Sequence, residues 1–403
     1  EDEPSEADAS SGGGGGRQVN NVQVLGIDAR FASFAGARCA VPGDDEIVVN
    51  AALATALGIR QGDMVSIRIG KPSLFPRDAP LSSRSDENTG RGTFTVSGIA
   101  TDAQLGCFSL AAGQKVPFNA FVSLKWLQNA ADMPGRANLL LAGEGRAGSL
   151  PDPAAAIRKV WRIEDAGLSV REVAGQGFCQ LESDRVFMDP VVSGAALDAG
   201  RDVSRASPAG ALTYLVNSIS ADTPGGAGST PYSFVLAISP SANCGLGPVP
   251  ADMGDDEIIV NRWLADLLPA AVGTTLKVAY YELTDANKFV EKARTFRVRG
   301  ILDMSEIAAE KDLGPKFPGL TDVDRCVEWG IGMPLDKAKV EDKANEAYWN
   351  EYRATPKAFV ALKAGQAMWA NRFGNMSAVR YAAGPSGPSG FAESLRQRLD
   401  PAA

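Results

Sequence analysis

Histidine is absent from all 403 residues. That removes Ser-His-Asp and Cys-His nucleophile systems, histidine general bases and His-ligated zinc. An excess of positive charge is missing too. With 40 Lys and Arg against 48 Asp and Glu, and no long basic stripe, the chain lacks the electrostatic footprint of nucleic-acid binding. No window supplies the roughly 18 consecutive apolar residues that a spanning helix needs, and no charged-then-apolar leader opens the chain. The chain itself is therefore expected to be soluble. Cys39, Cys107, Cys179, Cys244 and Cys326 form no C-x-x-C pair, so neither a thiolate metal cage nor a redox motif is visible. Their odd number leaves at least one outside any intramolecular disulfide. No G-x-x-x-x-G-K-[ST] phosphate loop occurs.

What is present describes a folded chain: 45% hydrophobic and 22% charged residues, with a length that suggests two or three domains. It opens with Glu1-Asp2-Glu3-Pro4-Ser5-Glu6 and runs into Gly12 to Gly16, a composition expected of a linker or an internal fragment.

An internal repeat organises the rest. Gly43 to Ala54, read GDDEIVVNAALA, returns ungapped as GDDEIIVNRWLA at Gly254 to Ala265, and the offset holds through Gly62 and Gly273. Thr93 to Ile99 (TFTVSGI) is answered by Thr295 to Ile301 (TFRVRGI), and Ala120 to Lys125 (AFVSLK) by Ala358 to Lys363 (AFVALK). Each copy reads as an acidic turn, a short strand such as Ile47 to Val49, and an Asn50 cap on a helix carrying Leu53, Ala54 and Leu57. Gly58 then ends the helix, Gln61-Gly62-Asp63 turns into the alternating strand Met64 to Ile69, and Phe94 to Ile99 adds another. Pro269 stands where the first copy has Gly58. Between the copies, Asp152-Pro153 predicts the start of a helix over Ala154 to Trp161. Strands follow at Leu168 to Val170, Arg185 to Met188, Leu212 to Val216 and Tyr232 to Ile238, with a loop at Gly225 to Gly228. A charged, helical insertion containing Glu306 to Asp312 and Lys337 to Tyr352 separates Ile301 from Phe359.

Four local patterns invite chemistry. Gly143-Glu-Gly145-Arg-Ala-Gly148 matches the dinucleotide fingerprint after Leu139 to Leu141, but Pro151 and Pro153 delay the helix whose N-terminus should meet the pyrophosphate. The clusters Asp44-Asp45-Glu46 and Asp255-Asp256-Glu257 could offer oxygen ligands to a cation, yet they lack EF-hand spacing and belong to a repeated scaffold element. Ser123 and Lys125 would share a face of an extended strand, but the S-x-x-K spacing is missing and the second copy has Ala361 in place of the serine. Trp126, Trp263 and Trp369 fall at apolar helical positions and read as core or interface packing. No catalytic, cofactor-binding or metal-binding residue is assigned.

The order of these blocks resembles the extracytoplasmic core domain of FtsX/MacB-like ABC transporter permeases. The motif residues are Ile47 to Asn50, Leu53-Ala54, Leu57-Gly58, Gly62-Asp63, Val65 to Ile67 and Phe94 to Ile99. Val22 to Asp28, Arg136 to Leu140 and Ser229 to Phe234 are similar to one bacterial branch of such permeases. The resemblance implies an α+β fold: two diverged copies of a strand-helix-strand-strand unit, a MacB-like periplasmic core, with an intervening α/β segment. The expected layout is a flexible acidic, Gly-rich segment at 1–21, a first repeat at 22–148 and the intervening segment at 149–250. A second repeat at 251–384 carries a helical insertion at 303–354, and a C-terminal helix or tail occupies 385–403.

The implied function is non-catalytic. Such a domain would bind a substrate or partner outside the inner membrane and couple ATP-driven movement of transmembrane helices to export, lipoprotein handling or envelope signalling. Its partners would be a cytoplasmic ATP-binding-cassette subunit, reached through transmembrane helices that this chain lacks, and a second permease copy, a periplasmic protein or a lipophilic substrate. No nucleic acid and no cofactor are expected. Trp126 and the insertion Glu306 to Tyr352 are the expected contact surfaces. A double-psi-barrel-like recognition protein is the alternative, and a cofactor-dependent enzyme is the third reading.

Overall fold

The computed structural model describes residues 17–34, 40–71, 89–110, 113, 115–141, 152–204, 206–223, 226–240, 245–284, 286 and 288–401. Gly12 to Gly16, Gly143 to Gly148, Cys39 and Cys244 lie outside them. The fold is mixed α+β, and its contacts divide it into two compact units that meet in sequence near Leu150 and Pro151.

In the first unit, a five-stranded sheet runs in the order β1-β5-β2-β4-β3. Its strands are β1 (Gln23–Ile27), β2 (Glu46–Asn50), β3 (Met64–Gly70), β4 (Thr89–Ala100) and β5 (Asn119–Ser123). Ile47, Val48 and Val49 are all buried, the unbroken apolar run of a strand covered on both faces, and each such side chain contributes about 1.5–3 kcal/mol. Asn50 then leaves the strand and caps α2 (Ala51–Leu57), its Oδ1 accepting from the Leu53 amide at 3.0 Å. Gly58 closes that helix at φ 71°, a left-handed conformation that suits glycine. A short α1 (Ala29–Phe34) follows β1, and α3 (Leu124–Ala130) follows β5 directly.

In the second unit, α4 (Pro153–Val160), β6 (Leu168–Val173), β7 (Phe178–Ser183) and α5 (Pro190–Val203) lead into a long hairpin, β8 (Ala209–Thr223) and β9 (Gly226–Ile238). Next come β10 (Glu257–Asn261), α6 (Arg262–Leu267), β11 (Thr275–Leu283) and β12 (Phe289–Leu302). The insertion holds a 3₁₀ turn at Ala308–Asp312, α7 (Lys337–Val340) and α8 (Lys343–Tyr352). The unit finishes with β13 (Ala358–Ala361), α9 (Leu362–Trp369), β14 (Ala378–Ala382) and α10 (Gly387–Arg398). Nine strands join in the order β11-β12-β10-β13-β9-β8-β14-β7-β6, and β11 also pairs with the far half of β8. Six strands therefore close into a ring. Trp369 of α9 packs at the closure, stacked on Tyr214 of β8 at 5.4 Å and edge-on to Tyr280 of β11 at 6.4 Å.

The same backbone arrangement occurs in both units. β3-β4-β2-β5-β1 and β11-β12-β10-β13-β9 share their order and the parallel or antiparallel sense of every pair. Register shifts fall at the same place, between Ile47 and Val48 and between Ile258 and Ile259, and leave Ser97 and Arg299 as the extra residues. The turns match as well. Gly62 N–H donates to the Val96 carbonyl at 2.9 Å and Gly273 N–H to that of Val298 at 2.7 Å, each glycine near φ 92–93°.

Three local expectations change. Arg185 to Met188 is a turn: Val186 has φ 62° and its N–H bonds the Ser183 carbonyl, so Val186, Phe187 and Met188 are apolar because they are buried anchors. The strand there is β7. Gly226, Ala227 and Gly228 belong to β9, paired with Thr223, Asp222 and Ala221. The segment 149–250 does not stand apart from the second repeat, because β6 to β9 extend the same sheet and belong to the same compact unit.

Candidate functional site

Of the residues singled out by sequence, several take structural roles. Ser123 ends β5 and caps α3, accepting from the Trp126 amide at 3.4 Å while its hydroxyl donates to Asp44 Oδ1 at 2.6 Å. The helix begins between Ser123 and Lys125, so the strand face that would have joined them does not exist. Glu46 Oε2 accepts from its own turn at Gly43 N–H (3.0 Å), and Glu257 Oε2 does the same from Gly254 (2.9 Å). Glu257 also pairs with Arg299 at 2.8 Å, and Asp255 pairs with Lys363 at 3.0 Å. The turn amide first, and then Arg299, hold the Glu257 carboxyl below its ordinary range. Among the described residues, no group of three or more His, Cys, Asp or Glu is arranged to hold a metal ion.

Trp126 is half-buried and edge-on to Phe94 at 4.6 Å, with Gly92 making room for its ring. It packs against the core of the first unit. Trp369 is buried at the ring closure, and Trp263 leads to a buried cationic group.

That group is Lys357, which sequence reasoning passed over. It immediately precedes β13, at the position that Asn119 occupies in β5, and is 1% exposed. Its Nζ donates to Asn345 Oδ1 of α8 at 2.6 Å and to Thr230 Oγ1 of β9 at 3.1 Å, both neutral acceptors. The ammonium lies 4.6 Å from the Trp263 ring centre and 4.8 Å from that of Tyr348. Tyr348 is fixed in turn, since its hydroxyl donates to the Thr355 carbonyl at 2.9 Å and accepts from Asn261 Nδ2 at 2.9 Å. Burial brings the Lys357 pKa down to about 7, against the opposing pull of the Asp342 carboxylate. Burial also pushes the Cys326 thiol and the Tyr348 phenol well up, so both stay protonated at neutral pH.

A cleft lies beside this amine, lined by Tyr232, Phe234, Trp329, Asn345, Tyr348, Trp349, Arg353, Thr355 and Lys357. Five of these residues, Trp329, Asn345, Tyr348, Trp349 and Arg353, come from the insertion at 303–354 between β12 and β13. The amine has the protonation behaviour of a nucleophile or general base, but the cleft has room for about one water molecule. That volume is too small for a carbonyl substrate to sit beside the amine. The arrangement fastens the insertion to the sheet, as Asn119 does more simply by donating to the Gly106 and Phe108 carbonyls at 3.0 and 2.8 Å.

No helix among the described residues is long and apolar enough to cross a membrane. No protein-family model matches the chain, and no curated protein sequence is significantly similar to it.

Proposed function

We propose that this chain is the non-catalytic extracytoplasmic domain of an FtsX/MacB-like ABC transporter permease, built from two diverged copies of one α+β unit. In this reading, ATP hydrolysis by a cytoplasmic ATP-binding-cassette subunit moves transmembrane helices that lie outside this chain. The domain passes that movement to a substrate or partner on the outer side of the inner membrane. The observation that carries the reading is the agreement of the two units in strand order, bulge position and turn hydrogen bonds, on blocks whose residues resemble that family.

The insertion is the natural contact element. It is added to only one copy, and a buried network at Lys357 and Asn261 ties it to the strands that a moving neighbour would displace. A second permease copy, a periplasmic protein or a lipophilic substrate would meet it there. A duplicated double-psi barrel interlaces both copies in one barrel, whereas here they occupy separate sheets, which favours the permease reading. The cofactor-dependent reading has only the Gly143 fingerprint behind it, outside the described residues.

Fractionation of cells that express the full-length gene product tests the proposal. It is expected in the inner membrane, with this domain degraded when protease is added to spheroplasts. Recovery in the cytosol, or protection from the protease, would overturn it.

A further inference from the structure

We propose that the cleft beside Lys357 binds a small monovalent anion of halide size. Asn345 Nδ2, Trp329 Nε1 and Trp349 Nε1 are buried and have no hydrogen-bond partner among the described residues. All three residues line the one cleft, together with Lys357 and with Arg353, whose guanidinium is paired with Asp324 at 3.1 Å. Lys357 Nζ carries three protons and spends two, on Thr230 and Asn345. Among the described residues no carboxylate lines the cleft.

Each buried donor left unpaired costs about 1–3 kcal/mol, so several gathered in one place call for an acceptor. Water fits the volume but brings two protons of its own, and three of the cleft's side-chain oxygens already accept a bond. Asn345 Oδ1 takes the lysine, the Tyr232 hydroxyl takes the Asp336 amide at 2.7 Å, and the Tyr348 hydroxyl takes Asn261. A halide brings no proton, accepts from every donor, and neutralises a buried ammonium whose other partners are uncharged.

The test compares thermal unfolding of this chain in chloride and in gluconate at matched ionic strength. Chloride is expected to raise the wild-type midpoint with the logarithmic concentration dependence of a single site. Lys357→Met should abolish the chloride effect. Trp329→Phe keeps an aromatic ring but loses the indole N–H, and it should weaken the apparent chloride affinity about tenfold, which holds the proposal to account even if the lysine variant does not fold. Equal wild-type midpoints in the two salts would overturn the proposal. So would a chloride effect undiminished in Trp329→Phe.

Discussion

Gly365 of α9 lies so close to Ala237 of β9 that a Cβ at 365 would fall 2.1 Å from the Ala237 Cβ. Strand pairing places Gly26 of β1 and Leu127 of α3 at the equivalent positions of the first unit, where a Cβ on Gly26 would come within 2.9 Å of Leu127 Cδ2. Bulk has changed sides between the copies. One has glycine on the strand and leucine on the helix; the other has alanine on the strand and glycine on the helix.

Gly365→Ala should therefore destabilise the second unit by about 1–3 kcal/mol through overpacking. Adding Ala237→Gly should recover at least half of that loss. Urea unfolding of the two single variants and the double variant measures the coupling, and purely additive losses would contradict it.

Asn50 and Asn261 should respond alike, because each caps a helix through Oδ1 and satisfies backbone or hydroxyl acceptors through Nδ2. Alanine at either position is expected to cost about 2–4 kcal/mol, a lost cap plus unpaired buried groups. Aspartate keeps the cap but turns an oxygen toward the Pro117 or Pro356 carbonyl, so it should not restore stability. Melting of Asn50→Asp and Asn261→Asp checks this.

The repeated unit was legible in the sequence because its turn and cap residues recur: Asn50 and Asn261 each cap a helix, and Gly62 and Gly273 each hold a left-handed turn, backbone tasks that few residues perform. β1 and β9 were not legible as copies. Val24-Leu25-Gly26-Ile27 and Val235-Leu236-Ala237-Ile238 are four apolar residues each, too short to stand out, and their similarity gains meaning only when pairing aligns them. Lys357 left one faint signal, a charged residue between Pro356 and the apolar Ala358-Phe359-Val360 run. Burial of that lysine depends on helices contributed from elsewhere in the chain, which no local pattern announces.

Arg380 and Glu310 form a buried bidentate pair, both bonds at 2.8 Å, with Arg380 also donating to Gln180 Oε1 and the Leu246 carbonyl. It joins the 3₁₀ turn of the insertion to β14. Glu310→Ala leaves a buried guanidinium uncompensated and should cost about 3–5 kcal/mol, whereas replacing both residues with apolar ones of similar volume should cost less than the single change. Chemical denaturation of both variants decides this. A double variant worse than the single would count against the pair's geometry.

The Lys357 amine should make stability depend on pH in a defined window. Its folded pKa is about 7, below the ordinary 10.5, so between these values the unfolded chain binds a proton that the folded chain does not. Stability should then rise with pH. Below pH 7 both states are protonated and the full cost of the buried charge, on the order of a few kcal/mol, is present. The Asp342 carboxylate pulls the other way and narrows the window. The difference in unfolding free energy between the wild type and Lys357→Met should shift in favour of the wild type from pH 7 to pH 9.5, and a flat difference would contradict the assignment.

Purification of the full-length gene product from membranes tests the central claim most directly. The account predicts that an ATP-binding-cassette subunit copurifies with it, and that Glu310→Ala or Lys357→Met, which loosen the insertion, leaves this complex and its ATP hydrolysis intact while abolishing transport or partner activation. A full-length product that purifies without any ATPase, or a complex whose transport is unchanged by both substitutions, would contradict it.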